Sequence, residues 1–165
     1  MSGAYDPAAW GSFCTALVSA AAALTGLLFV AVSLNLESIL KNPEFLPPRA
    51  AETLAALLVV LTSCALTLVP QSTRLLGGEL LAVSLALLAV TPRQLATRRD
   101  RPEDPGAWHR ARIATTAAPG VPAAIAGLSL IAHWGGGLFW LAPAALLGIA
   151  AAVYSAWVLL VEIVR

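Results

Sequence analysis

Four carboxylates have the most scope for chemistry: Glu37, Glu52, Glu79 and Glu162. Each stands inside or at the end of a long apolar run rather than in a charged stretch. An ionisable group left unpaired at the centre of a bilayer costs about 2–3 kcal/mol, so an acid so placed must hold a cation or find a basic partner. Three of the four close a stripe of small residues. In the first run Ser12, Thr15, Ser19, Ala22, Ala23, Gly26, Ser33 and Glu37 share one face at helical spacing, with Leu17, Leu24, Leu28 and Val32 opposite. In the second, Glu52, Ala55, Ala56, Val59, Ser63, Thr67 and Pro70 do the same, with Leu54, Leu57, Leu61 and Leu68 turned away. The last run carries Ala144, Gly148, Ala151, Ala152, Ser155 and Glu162.

Small faces let helices approach closely in lipid, where packing leucine on leucine gains little. The spacing therefore predicts that the small faces look inward. Ser19, Gly26, Ser33 and Ser63 would lie along a permeation path, and the inner-end carboxylates would concentrate cations at its mouth. The structural alternative is that these acids sit at headgroup depth and pair with Lys41, Arg49, Arg112 or Arg165. Glu79 differs: it lies about one turn inside its run, behind Gly77-Gly78, with Arg74 in snorkelling reach.

Other chemistries lack their residues. His109 and His133 fall on opposite sides of the expected membrane, and no Cys/His cluster offers metal-ligand spacing. Cys14 and Cys64 lie in different runs and read as two separate buried thiols. There is no paired intramembrane Asp, no HExxH helix, no Walker A and no GxGxxG. The expectation is a protein that is not an enzyme and holds no metal or cofactor.

The elements that must position these groups follow from composition. Of 165 residues, 59% are apolar and 12% charged, against roughly a quarter charged in soluble domains. The apolar residues fall in blocks long enough to cross a hydrocarbon core of roughly 30 Å. Spans are expected at residues 10–36, 53–69, 75–91, 113–132 and 138–161, giving one all-α polytopic transmembrane bundle of about five spans. The first is read as a retained span, because residues 1–9 carry no basic charge and the apolar run exceeds a signal core of roughly 7–15 residues. The second and third, joined by the polar turn 70–74, should form an antiparallel hairpin. In the fourth, Pro119, Gly120 and Pro122 remove helix hydrogen bonds and predict a kink or a short unwound stretch.

Charge sets the orientation. With the N-terminus outside, Lys41, Arg49, Arg93, Arg98, Arg99, Arg101, Arg110, Arg112 and Arg165 all lie inside, leaving Arg74 outside. N-out/C-in is the consistent solution, with inner loops at 37–52 and 93–112. Trp10, Trp134, Phe139 and Trp140 then gather at the outer surface, where aromatic rings favour the headgroup layer. The outer connection around Gly135-Gly136-Gly137 reads as short and flexible. The Arg-rich loop, with Arg93, Arg98, Arg99, Arg101, Arg110 and Arg112, could dock anionic lipid at about 1 kcal/mol per basic residue or a larger membrane partner. Asp100, Glu103 and Asp104 dilute it. Net charge is +1, which implies no pull toward nucleic acid. Arginine supplies nearly all the basic residues, the usage of a GC-rich bacterial genome; the expected location of such a multi-span chain is a bacterial cytoplasmic (inner) membrane.

The stretch Ala23-Leu24-Thr25-Gly26-Leu27-Leu28-Phe29-Val30-Ala31-Val32-Ser33-Leu34-Asn35-Leu36-Glu37, with residues 49–52 and Leu68-Val69-Pro70-Gln71, resembles a segment of small multi-span bacterial membrane proteins. The resemblance covers the first half of the chain and implies no activity. Five short spans enclose little space, so the residues predict a small homo-oligomeric channel or permeation unit, with a path between protomers. The competing expectation is a non-catalytic adaptor that binds a larger membrane protein.

Overall fold

The computed structural model describes residues 2–37, 46–96 and 105–164. Among them there are five long helices and no strand: α1 (Gly11–Leu34), α2 (Leu46–Leu68), α3 (Thr73–Ala96), α4 (Pro105–Ala132) and α5 (Leu141–Val164). They are 23 to 28 residues long, which at about 1.5 Å per residue gives roughly 35–42 Å.

Local chemistry sets their ends. Asp6 accepts a hydrogen bond from the Ala8 N–H at 3.1 Å and, with Pro7 behind it, opens a 3-10 turn, Pro7–Trp10, that feeds α1. At the far end of α1 the Asn35 amide folds back to donate to the Ala31 carbonyl at 2.9 Å. Pro47 and Pro48 fall in the first turn of α2 and Pro105 heads α4, positions where a missing N–H costs nothing. Ser72 caps α3, its hydroxyl accepting from the Leu75 N–H at 3.4 Å.

Helices α2, α3, α4 and α5 pack as a ring, each against the next, with α3 against α4 the most extensive contact. That contact depends on glycine. A Cβ at Gly77 would lie 2.8 Å from the Gly127 carbonyl oxygen, and one at Gly127 would lie 2.7 Å from that of Gly77. Gly148 serves α5 in the same way, since its Cβ would meet a Val60 methyl of α2 at 2.6 Å. Helix α1 stands outside the ring and leans almost wholly on α2. The principal core joins Cys14, Leu17 and Ala21 of α1 to Val60 and Cys64, to Leu76 and Leu80, to Leu130, and to Leu138, Leu141 and Ala145.

Among the described residues, three helices are long and apolar enough to cross a membrane: Pro7–Leu34, Ala50–Leu68 and Gly137–Trp157. Ala117–Ala132 is a shorter apolar helix. α3, with Arg74 and Glu79 in its first two turns, is not among them.

Several sequence expectations change. On α1 the leucine side is the packed one: Leu17 and Leu28 are buried and Leu24 and Val32 half-buried, while Ser12, Thr15, Ser19, Ala22, Ala23, Gly26 and Ser33 are exposed. The reason lies in the partner. α2 contributes Val60 and Cys64 to the cluster that buries Leu17, and Ala56 and Leu57 to the one that buries Leu28, the ridges of one helix filling the grooves of the other. On α2 the expected face is buried at Ala56, Ser63 and Thr67, but Leu57 is buried too, because α2 has neighbours on more than one side. The α5 stripe packs as expected at Ala144, Gly148 and Ala152.

Around Pro119 and Pro122 there is no unwound stretch, since α4 runs helically through both. Pro119 is fully buried, and its ring carbons pack 3.4 Å from where a Gly148 Cβ would stand. Tertiary packing holds the backbone helical where the lost hydrogen bonds do not. The loop expected at 93–112 is also shorter: Arg93 belongs to α3, and Arg110 and Arg112 belong to α4.

Candidate functional site

Antiparallel connection brings the end of α1, the start of α2 and the end of α5 to one end of the bundle. Glu37 is exposed there and Glu52 half-buried beside the buried Thr53. Glu162 lies on the last turn of α5, with its side chain outside the described residues. The fold thus gathers the three predicted carboxylates at one end. It does not gather the small polar residues meant to lead to them. Ser19, Gly26 and Ser33 face outward from α1, whereas Ser63 is buried in the core with no hydrogen-bond partner for its hydroxyl oxygen. No single path inside one chain connects these four.

The outward face of α1 is chemically quiet. Ser19 donates to the Thr15 carbonyl at 2.9 Å, one turn back along the same helix. A methyl added at Gly26 would meet no heavy atom within 4 Å. Between α1 and α5, above α2, lies an apolar cavity of about 370 Å³ lined by Leu24, Leu28, Asn35, Thr53, Leu57 and Trp157, among others. Its polar members are Asn35, already bonded to its own helix, and Thr53.

Glu79 is exposed on α3, and the partner it finds is not Arg74. Gln71 donates to its carboxylate at 2.8 Å and, through the same amide nitrogen, to the Leu66 carbonyl at 3.1 Å. The acid therefore ties the start of α3 to the end of α2, a structural use that reduces its candidacy as an ion ligand. Of the arginines, Arg98, Arg99 and Arg101 lie outside the described residues, as do the side chains of Arg93, Arg110 and Arg112.

At the other end stands a built cap that residue spacing does not announce. Gly135, Gly136 and Gly137 all hold positive φ, and so does His133 at 52°, values that glycine adopts without strain. Ser129 fixes this turn: its hydroxyl donates to the Trp134 carbonyl and accepts from the Gly137 N–H at 2.7 Å. The Trp140 indole donates to the Gly135 carbonyl at 2.8 Å. Across it lies the N-terminal segment, where Tyr5 stacks on His133 at 5.6 Å between ring centroids and accepts from the Gly136 N–H at 3.3 Å. Trp10 meets Phe13 and Phe139 edge to face. What read as a flexible link is a closed, aromatic-faced lid. The signal available in the sequence was the Gly run itself, flanked by His133, Trp134 and Trp140.

One feature was invisible to spacing. Cys14 and Cys64, fifty residues apart, fall in the same buried cluster beneath this lid. They are unlinked and fully buried. Among the described residues no group of three or more His, Cys, Asp or Glu could hold a metal ion.

The class these observations define is an all-helical bundle with helices suited to a membrane. No protein-family model, curated protein or solved structure matches the chain.

Proposed function

We propose that the chain is a five-span, N-out/C-in protein of a bacterial inner membrane that self-associates along α1 to form a small permeation unit. The observation that carries this reading is the outward small-residue face of α1, with Ala22, Ala23 and Gly26 exposed on the most peripheral helix. The Ser19 hydroxyl on it is satisfied within the helix by the Thr15 carbonyl. What it offers is a smooth surface on which another helix backbone can come close. Among the described residues the core is filled by leucine and other apolar side chains, so a path between protomers fits better, with Glu37 exposed at its end.

Reconstitution in liposomes tests this. Wild type should be oligomeric in mild detergent and should pass small cations, Glu37→Gln should reduce the flux several-fold, and Gly26→Leu should abolish both assembly and flux. A monomer with no flux in any ionic condition sinks the proposal. A stoichiometric second membrane protein, purified in place of self-association, supports an adaptor instead.

A further inference from the structure

We propose that the apolar cavity between α1 and α5 binds one acyl chain of a membrane phospholipid whose headgroup carries a primary ammonium. The cavity holds about 370 Å³, within the roughly 300–1,000 Å³ of pockets that take small molecules. Apart from Asn35, which caps α1, its wall comes entirely from the three helices long and apolar enough to cross a membrane. Its mouth therefore opens at bilayer depth. The space exists because α1 leans on α2 and barely touches α5. Ala31 and Ala152 line the gap and are too short to fill it.

The wall is graded along its length. On α1 it runs from Leu24 to Asn35, about 17 Å at about 1.5 Å per residue. That is close to half of a hydrocarbon core of roughly 30 Å, so the cavity is one leaflet deep. Leu24 and Leu28 stand at its deep end. Asn35, Thr53 and Trp157 gather at the other, where α1 ends, α2 begins and α5 nears its last turns. A phospholipid has the same grading, with methylenes at depth and ester and headgroup at the surface, and an indole favours that boundary. An empty apolar void forfeits dispersion contacts along its lining. A chain seated in it recovers contacts from three helices, more than a bulk lipid makes against one convex helix face.

Charge selects the headgroup. Among the described side chains at this mouth the charged ones are Glu37 and Glu52. Glu52 is half-buried beside Thr53, and Glu37 is exposed two residues past Asn35. Carboxylates accept charge-assisted hydrogen bonds from the N–H groups of a primary ammonium. A quaternary ammonium has no such donors, and a headgroup of net negative charge is opposed. The site rests on the membrane placement of α1, α2 and α5 but not on self-association or flux, since Leu24 and Leu28 lie on the side of α1 away from its small face.

The test uses the full chain with Trp157 as its only tryptophan, in phosphatidylcholine vesicles containing a small fraction of one dibrominated phospholipid. Dibromo-phosphatidylethanolamine should reach half-quenching at a several-fold lower fraction than dibromo-phosphatidylcholine, with dibromo-phosphatidylglycerol weakest. A protein retaining only Trp134, at the opposite end, should show no headgroup preference. Ala31→Phe and Ala156→Leu, which fill the cavity from two helices, should each remove the preference at Trp157 while bulk quenching remains. Glu37→Gln should narrow it. Identical curves for the three headgroups, a preference for phosphatidylglycerol, or a preference that survives both filling substitutions overturns the proposal. So does a preference lost together with assembly, which assigns the cavity to a second copy of the chain. Trp157 left unquenched by every brominated lipid refutes the membrane placement itself, a failure distinct from loss of headgroup preference alone.

Discussion

Replacing Gly127 with alanine probes the α3–α4 crossing at its narrowest point. The new methyl would sit 2.7 Å from the Gly77 carbonyl oxygen, 2.8 Å from the Leu81 backbone nitrogen and 3.0 Å from the Leu81 Cβ. Ordinary contact begins near 3.4 Å, so the helices must part by the difference, about 0.7 Å. A gap of roughly 0.5–1 Å forfeits a quarter to a half of the dispersion attraction of each pair it opens. Two of the three obstacles are backbone atoms, which cannot rotate away. Overpacking of this kind costs about 1–3 kcal/mol, offset by up to about 1 kcal/mol from the better helix propensity of alanine. The expected net loss is about 1–2 kcal/mol, and Gly127→Leu should cost several times more. Gly11→Ala and Gly78→Ala are the controls, because a Cβ at either meets nothing within 4 Å. They should be neutral or stabilise by up to about 1 kcal/mol. Reversible unfolding in mixed micelles with increasing SDS, followed by far-ultraviolet circular dichroism, measures all four. Gly127→Ala unfolding with the controls, or later than wild type, would refute the close crossing.

Two further outcomes follow from the lid and the aromatic ends. Ser129→Ala leaves the Trp134 carbonyl and Gly137 N–H without their shared partner and should cost about 1–3 kcal/mol. Faster amide hydrogen exchange at residues 134–137 is the accompanying signature, and unchanged exchange would count against the lid. Trp140 and Trp157 lie on or next to α5, 17 residues apart, which is about 26 Å along the axis and close to the roughly 30 Å of hydrocarbon. In single-tryptophan proteins retaining Trp134 or Trp157, both exposed, bromine near the lipid headgroup should quench more than bromine at the chain end. The reverse order would remove the membrane placement.

Class was legible in the sequence because lipid imposes a one-dimensional rule: a helix that crosses must be apolar for its whole length, and that length can be counted. The helices and their short connections follow from the same rule together with Pro48, Pro105 and Ser72, whose effects reach only a few residues. Direction around a helix did not follow. Periodicity separates the leucine side of α1 from the small side, but either can be buried, since lipid is as apolar as a core. Only the packing of α1 on α2 decided that Leu17 and Leu28 turn inward. The helical state of the backbone at Pro119 and Pro122 was likewise set by packing against α5. The Gly77–Gly127 crossing, the stacking of Tyr5 on His133 and the cluster shared by Cys14 and Cys64 each join residues some 50 or more apart. No spacing encodes such pairs; they exist only once the helices have chosen their neighbours.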